Sequence, residues 1–168
     1  ICGMSRCFGQ MEPAMNFAAF LMAASLGGSA SPAPQCATMF EGDKDRILEH
    51  IWQKEMAIYQ GRANADLSYY LSNTSDNFLA WTAGTPKPYN KQEFSEKQKA
   101  ISGNNKEIIT TKFDGFTLSG NTAVIYYTNH RTRLPDGKIV DQKYDNIHVW
   151  VNEDCSWNVF ASMSRPAN

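Results

Sequence analysis

The sequence is short of several things, and each shortage removes a class of function. Its 168 residues carry 16 Lys or Arg against 17 Asp or Glu, a net charge of −1, and no block of like charge occurs. A nucleic acid or polyanion partner needs a basic stripe, and none is present. Histidine is scarce, at positions 50, 130 and 148 only, and the four cysteines form no CxxC or Cys/His spacing. No metal site and no cofactor motif are therefore expected. A Gly-x-Ser-x-Gly elbow is missing, so nucleophilic catalysis has no support. Long apolar runs are missing too. The longest, residues 17–26, has ten residues, where a spanning helix needs about 20.

That short run matches the apolar centre of a signal peptide, and Gly28, Ser29 and Ala30 supply small residues for cleavage after Ala30. Residues 1–30 are accordingly read as a signal peptide with upstream sequence, Met4, Met11 and Met15 being candidate starts. The expected location is outside the cytoplasm, periplasmic or secreted, with no membrane attachment after cleavage. Residues 31–42 hold Pro32 and Pro34 without periodicity and read as a mobile leader. Pro34 and Gln35 before Cys36 argue against a lipid anchor. In an oxidising compartment Cys36 and Cys155 either pair, stapling the leader to the body, or stay as free thiols.

The folded body is expected over 43–168, large enough for one core. Residues 43–62 form the best helix: Ile47, Ile51 and Ala57 or Ile58, together with Leu48, Trp52, Glu55, Met56 and Tyr59, recur at the three-to-four spacing of an amphipathic face. Asp43 caps its start, and Gly61 with Arg62 suits its end. A shorter helix begins near Asp66, residues 78–82 make a short strand after a turn at Asp76 and Asn77, and a third helix runs over 91–101. From 106 to 165 come about four strands rich in β-branched and aromatic residues. They are separated by turn chemistry at 119–121, 135–137 and 152–154. Strands joined so tightly are antiparallel neighbours, which makes a meander. Helices followed by a meander imply an α+β fold in which three N-terminal helices cover one face of a curved antiparallel sheet.

At this point a family is recognisable. Ile51, Trp52 and Glu55 on the first helix, Asp66-Leu67 with Asp76 ten residues on, Gly84 before the third helix, and the closing strands around His148, Trp150, Trp157 and Phe160 resemble the SnoaL-like branch of the nuclear transport factor 2-like superfamily. That group of cone-shaped α+β folds includes ketosteroid isomerase. The resemblance implies an apolar cavity inside the cone, open at one end, and a homodimer formed through the sheet.

For acid–base chemistry the resemblance points to Asp66 as a carboxylate base, with Tyr59 or His148 as the polarising donor. The competing reading of Asp66 is a cap for the second helix. His148 is also considered beside Asp145 or Asp66, and His130 as a solvated histidine near a hairpin end. Ligand contacts are expected from Trp52, Tyr59, Tyr70, Phe78, Trp81, Tyr126 and Trp150. With the hairpin turn centred on Asp136, facing positions sum to about 272. Tyr126 then opposes Asn146 and Val124 opposes His148, so that Tyr126, Thr128, His130, Asn146, His148 and Trp150 share one face.

The leading expectation is an exported domain that binds a small apolar or amphipathic molecule in the cone, without assigned catalysis. The alternatives are a cofactor-free isomerase, dehydratase or hydrolase working in the same cavity, and a non-catalytic accessory or dimerisation domain. The discriminating feature is whether an imidazole or carboxylate stands in the cavity with a donor in reach.

Overall fold

The computed structural model describes residues 43–101 and 105–167. The segments expected at 1–30 and 31–42, and Cys36 with them, lie outside the described residues. Cys155 is disulfide-bonded.

Helix α1 is Lys44–Ala63, and Asp43 Oδ1 accepts the Arg46 N–H at 3.1 Å as its cap. Its buried stripe is Ile47, Ile51, Glu55 and Ile58, so the amphipathic spacing places a carboxylate among three isoleucines. The helix stops where the chain folds back. The Asp66 N–H bonds the Gly61 carbonyl at 2.9 Å, and a Cβ on Gly61 would stand 2.6 Å from the Asp66 oxygen. Only glycine allows that approach. Helix α2 is Ser68–Ser72, strand β1 Thr74–Trp81, β2 Tyr89–Asn90 and helix α3 Lys91–Ile101.

The meander consists of β3 Ile108–Ser119, β4 Thr122–Arg133, β5 Ile139–Glu153 and β6 Ser156–Pro166. Its turns use the expected chemistry: Gly120 has φ 56°, Gly137 φ 93°, and Asp154 and Cys155 φ 49° and 67° in a two-residue hairpin. The six strands lie in the order β2-β1-β6-β5-β4-β3 in a sheet that does not close on itself. The expected wholly antiparallel sheet is corrected at one place, because β1 runs parallel to β6. β2, α3 and the first three strands of the meander intervene between them, more than enough for the crossover that a parallel pair requires. Strand β1 also starts four residues earlier than the pattern suggests. Asp76 and Asn77 lie inside it, and its register against β6 shifts between Thr74 and Leu79.

The register of β4 on β5 carries the largest consequence. At the turn Arg133 faces Ile139, as the sum of 272 requires, but Arg131 faces Gln142 and every later pair sums to 273. One extra residue on β5, a β-bulge, produces the slip. Ile125 therefore faces His148 and Tyr127 faces Asn146, and the shared inner face is Ala123, Ile125, Tyr127 and Asn129 with Asn146, His148 and Trp150. Tyr126, expected on that face, is on the other one and 38% exposed. α1 packs its isoleucines against the inner face, where Ile125, Trp150, Trp157 and Val159 are almost fully buried. The outer face carries a row of cross-strand neighbours, Trp81, Met163, Ile147 and Tyr126.

Candidate functional site

Between the helices and the inner face lies a cavity of about 280 Å³. Its wall draws on elements throughout the fold: Tyr59 and Arg62 from the last turns of α1, Tyr70 from α2, Tyr89 from β2 and Phe94 from α3. The sheet adds Tyr127, Asn129 and Arg131 from β4, Tyr144, Asn146 and His148 from β5, and Ser162 and Ser164 from β6. Alternation explains the sets, since 127, 129 and 131, and likewise 144, 146 and 148, point the same way from their strands. Polar groups predominate over the apolar wall expected from the resemblance.

The polar groups are joined in one directed network. Asn129 Oδ1 accepts from Thr111 at 2.8 Å, which leaves its amide nitrogen to donate to Tyr59 Oη at 2.7 Å. Tyr59 donates to Tyr127 Oη at 3.0 Å, and Tyr127 passes its own proton towards His148 Nε2 at 3.1 Å. On the opposite ring nitrogen, Nδ1 donates to Glu55 Oε1 at 2.8 Å, fixing the tautomer. The same oxygen takes the Trp150 Nε1–H at 2.8 Å. Glu55 is completely buried, and its Oε2 has no hydrogen-bond partner among the described residues. Tyr70 Oη also stands 3.1 Å from Nε2. With the ring proton on Nδ1, Nε2 offers a single lone pair to the two phenols, and we assign it to Tyr127, which is 1% exposed and has no other acceptor among the described residues. Ser162 on β6 also bonds the Tyr70 hydroxyl, so with Nε2 taken by Tyr127 the Tyr70 proton can turn to Ser162 or to a ligand in the cavity.

Burial, and after it the negative charge of Glu55, pushes the phenols of Tyr70 and Tyr127 well above their ordinary range. Tyr59 is raised for the same two reasons. These three stay neutral donors at any physiological pH. Nearer solvent, Arg62 clasps Glu107 with Nε and Nη2 at 2.6 and 3.1 Å, and Arg131 Nε lies 2.9 Å from Glu107 Oε1. Burial is the largest single influence and disfavours the Arg62 charge, but the bond and the charge of Glu107, with smaller help from Tyr59 and Tyr70, together outweigh it and raise the guanidinium above its usual value.

Of the expected catalytic residues, Tyr59 and His148 line the cavity and Asp66 does not. Asp66 is exposed, and its Oδ1 accepts the Ser68 N–H at 2.8 Å, opening α2. The Ser68 hydroxyl first, and then this N–H, hold its carboxyl below the ordinary value. Asp145 is also apart from His148, its carboxylate being engaged by Arg165 at 3.1 Å. Of the expected ligand contacts, Tyr59 and Tyr70 face the cavity. Phe78 is buried behind the wall, 6.2 Å from the Tyr70 ring. Trp150 is buried on Glu55, and Trp52 packs edge-on against Phe113 at 5.5 Å. Trp81 and Tyr126 lie on the outer face, 51% and 38% exposed. His130 is part-exposed and bonds Asp141 at 2.6 Å. Sequence reasoning missed Glu55, Tyr127, Asn129 and the Arg62–Glu107–Arg131 cluster as site residues. For Glu55 a signal existed, a carboxylate in register with the apolar stripe. For Tyr127 and Asn129 the inverted face concealed them. Among the described residues no group of three or more His, Cys, Asp or Glu converges.

No protein-family model matches the sequence, and no curated protein does. The likeness is to solved structures. A ketosteroid isomerase-like protein from Erwinia carotovora atroseptica superimposes with a TM-score of 0.63 at 14% identity, over 74% of this chain and 98% of that one. A nuclear transport factor 2-like protein from Cytophaga hutchinsonii gives 0.59 at 14% identity, over 71% and 98%. The CaMKII hub of S. rosetta gives 0.58 at 16% identity, over 71% and 95%. At such identities the likeness establishes architecture alone, and the chain has the nuclear transport factor 2-like cone fold. The chemistry must be argued from the cavity itself.

Proposed function

We propose that the cavity binds a small amphipathic molecule through an oxygen atom that accepts the Tyr70 proton. One observation carries this reading: the network from Asn129 through Tyr59 and Tyr127 to His148 is internally satisfied in one direction, and it leaves a phenol donor facing a cavity. Aromatic edges of Tyr89 and Phe94 supply the apolar contact. The test is native and denaturing mass spectrometry of protein purified from its own host, followed by titration with whatever is released. Tyr70→Phe should weaken binding by about fivefold to tenfold, the value of one hydrogen bond. Unchanged affinity in that variant would remove Tyr70 from the site.

A second reading is favoured by the Glu55–His148 contact of 2.8 Å, since a carboxylate-oriented imidazole is acid–base machinery. Under it the cavity is an isomerase or dehydratase site, in keeping with a fold shared with a ketosteroid isomerase-like protein. It requires exchange of ligand hydrogen with deuterated solvent, lost in His148→Gln while binding persists. Binding without exchange would leave the first reading alone.

We further propose export, on the apolar run at 17–26 and the small residues before Ser31, and pairing of two copies through the outer row around Met163, which is 54% exposed. A mature chain still containing residues 17–26 would sink the first. A protein that sediments as a monomer, unaltered by Met163→Asp, would sink the second.

A further inference from the structure

The wall of the cavity is chemically one-sided. Its charged side chains are Arg62 and Arg131, and no Asp or Glu lines it. The balancing carboxylate, Glu107, sits behind the wall with its side chain 3% exposed and holds both guanidiniums at once. At the mouth, Arg62 and Arg131 against Glu107 leave one positive charge in excess, and the balancing charge of Glu55 lies at the deep end, 2.8 Å from His148. Glu55, the other nearby carboxylate, is fully buried and directed at His148 and Trp150. The arginines are also held in place: Arg62 is clasped by two bonds to Glu107, and the Arg131 guanidinium lies 5.4 Å from the centre of the Tyr144 ring. Their side chains are 30% and 21% exposed, so much of their hydration is already gone. A guanidinium has five N–H donors, and Glu107 takes only the Nε and Nη2 donors of Arg62. A partly dehydrated cation with unused donors is matched by a planar anion that accepts two parallel bonds.

We propose that the ligand is a small organic carboxylate, its acid group on Arg62 and Arg131 and its remaining polar atom at Tyr70. This rests on the reading of the cavity as a ligand site and adds the charge of the molecule. An inorganic anion would satisfy the arginines but would leave the Tyr89 and Phe94 edges and the Tyr70 hydroxyl uncovered. The mouth and the deep end thus ask for an organic acid.

The test uses the full chain and matched pairs, phenylacetate against phenylacetamide and benzoate against benzamide, titrated at neutral pH by calorimetry and ligand-observed NMR. The acids should bind at least about tenfold more tightly than their amides, the value of a charge-assisted hydrogen bond. Arg131→Gln should cut that preference severalfold, by weakening the acids far more than the amides. Glu107→Gln, which removes the internal counter-charge, should enlarge the preference, an increase that loss of scaffolding alone would not produce. Equal binding of acids and amides overturns the charge assignment and leaves the cavity as a ligand site. Failure of every acid and every amide to bind overturns both. Acid binding indifferent to Arg131→Gln and Glu107→Gln places the anion elsewhere and refutes the proposal. Competition by sulfate as effective as by the organic acids refutes it in favour of an inorganic anion. The wild-type comparison decides the matter even if a variant does not fold.

Discussion

Replacing Glu55 separates the part this carboxylate plays in holding the fold from the part it plays in orienting His148. In Glu55→Leu the apolar stripe of α1 becomes continuous, and a reading from hydrophobicity alone expects a gain. The structure implies a loss. His148 Nδ1 and Trp150 Nε1 both donate to Glu55 Oε1 at 2.8 Å, in a place where His148 is 4% exposed and Trp150 not at all. Two buried donors left without an acceptor cost about 1–3 kcal/mol each. The added leucine burial and the removed buried charge return about half of that, so a net loss of about 1–3 kcal/mol is expected. Glu55→Gln behaves differently, because an amide oxygen at the Oε1 position keeps both bonds in neutral form. Its NH2 falls where Oε2 already lacks a partner. Neutral bonds are about half as strong as charged ones, which gives a loss of about 1 kcal/mol. The assay is equilibrium urea unfolding at neutral pH, followed by tryptophan fluorescence, with Trp150 reporting from the site. The order wild type, Gln, Leu is the prediction. A leucine variant as stable as wild type would mean that the two donors find other partners, and the orientation of His148 by Glu55 would fall with it.

Two further outcomes follow from the same geometry. Tyr59, Tyr70 and Tyr127 are held above the ordinary phenol value of 10.0 by burial and by Glu55. The unfolded chain releases these three protons near pH 10 while the folded chain keeps them. Their contribution is thus complete below about pH 10 and declines above it, by about 4 kcal/mol per pH unit for three groups. Tyrosinate absorbance and unfolding should rise together; ionisation of these phenols well before unfolding would contradict their burial. Asp66→Ala should lower the melting temperature slightly through the lost bond to Ser68 and leave ligand affinity unchanged, and a drop in affinity would return Asp66 to the site.

Much of the architecture was legible in the sequence because it is written locally. α1 has a cap, a three-to-four apolar period and a glycine where the chain folds back; the meander has three turns whose residues tolerate positive φ. What escaped is non-local. Ser75, Asp76 and Asn77 look like a turn because such residues favour turns. They are in a strand because the side chains of its first residues are satisfied from elsewhere. Thr74 donates to the Tyr70 carbonyl at 2.6 Å and Ser75 to Glu153 Oε1 at 3.1 Å. The Ser75 bond has no local signature, nor does the parallel pairing of β1 with β6.

The candidate site escaped for a sharper reason. Alternation along one strand is robust, and the partition of β5 into Asn146, His148 and Trp150 on one side holds. Which β4 residues join them depends on the sum of two strand positions, and a single extra residue changes that sum by one. The slip between Arg131 and Arg133 therefore exchanges Tyr126, Thr128 and His130 for Tyr127, Asn129 and Arg131, replacing a solvent-facing set by the relay and half of the arginine pair. Glu55 is the complementary case. Its place on the buried stripe follows from spacing with Ile47, Ile51 and Ile58, and a carboxylate there is tolerable only with donors facing it. The donors, His148 and Trp150, are two residues apart on one strand and so on one face. A buried acid on the helix and a histidine and a tryptophan on one strand face are mutually explanatory, and the pair can be inferred from parity within β5 even where the register against β4 cannot.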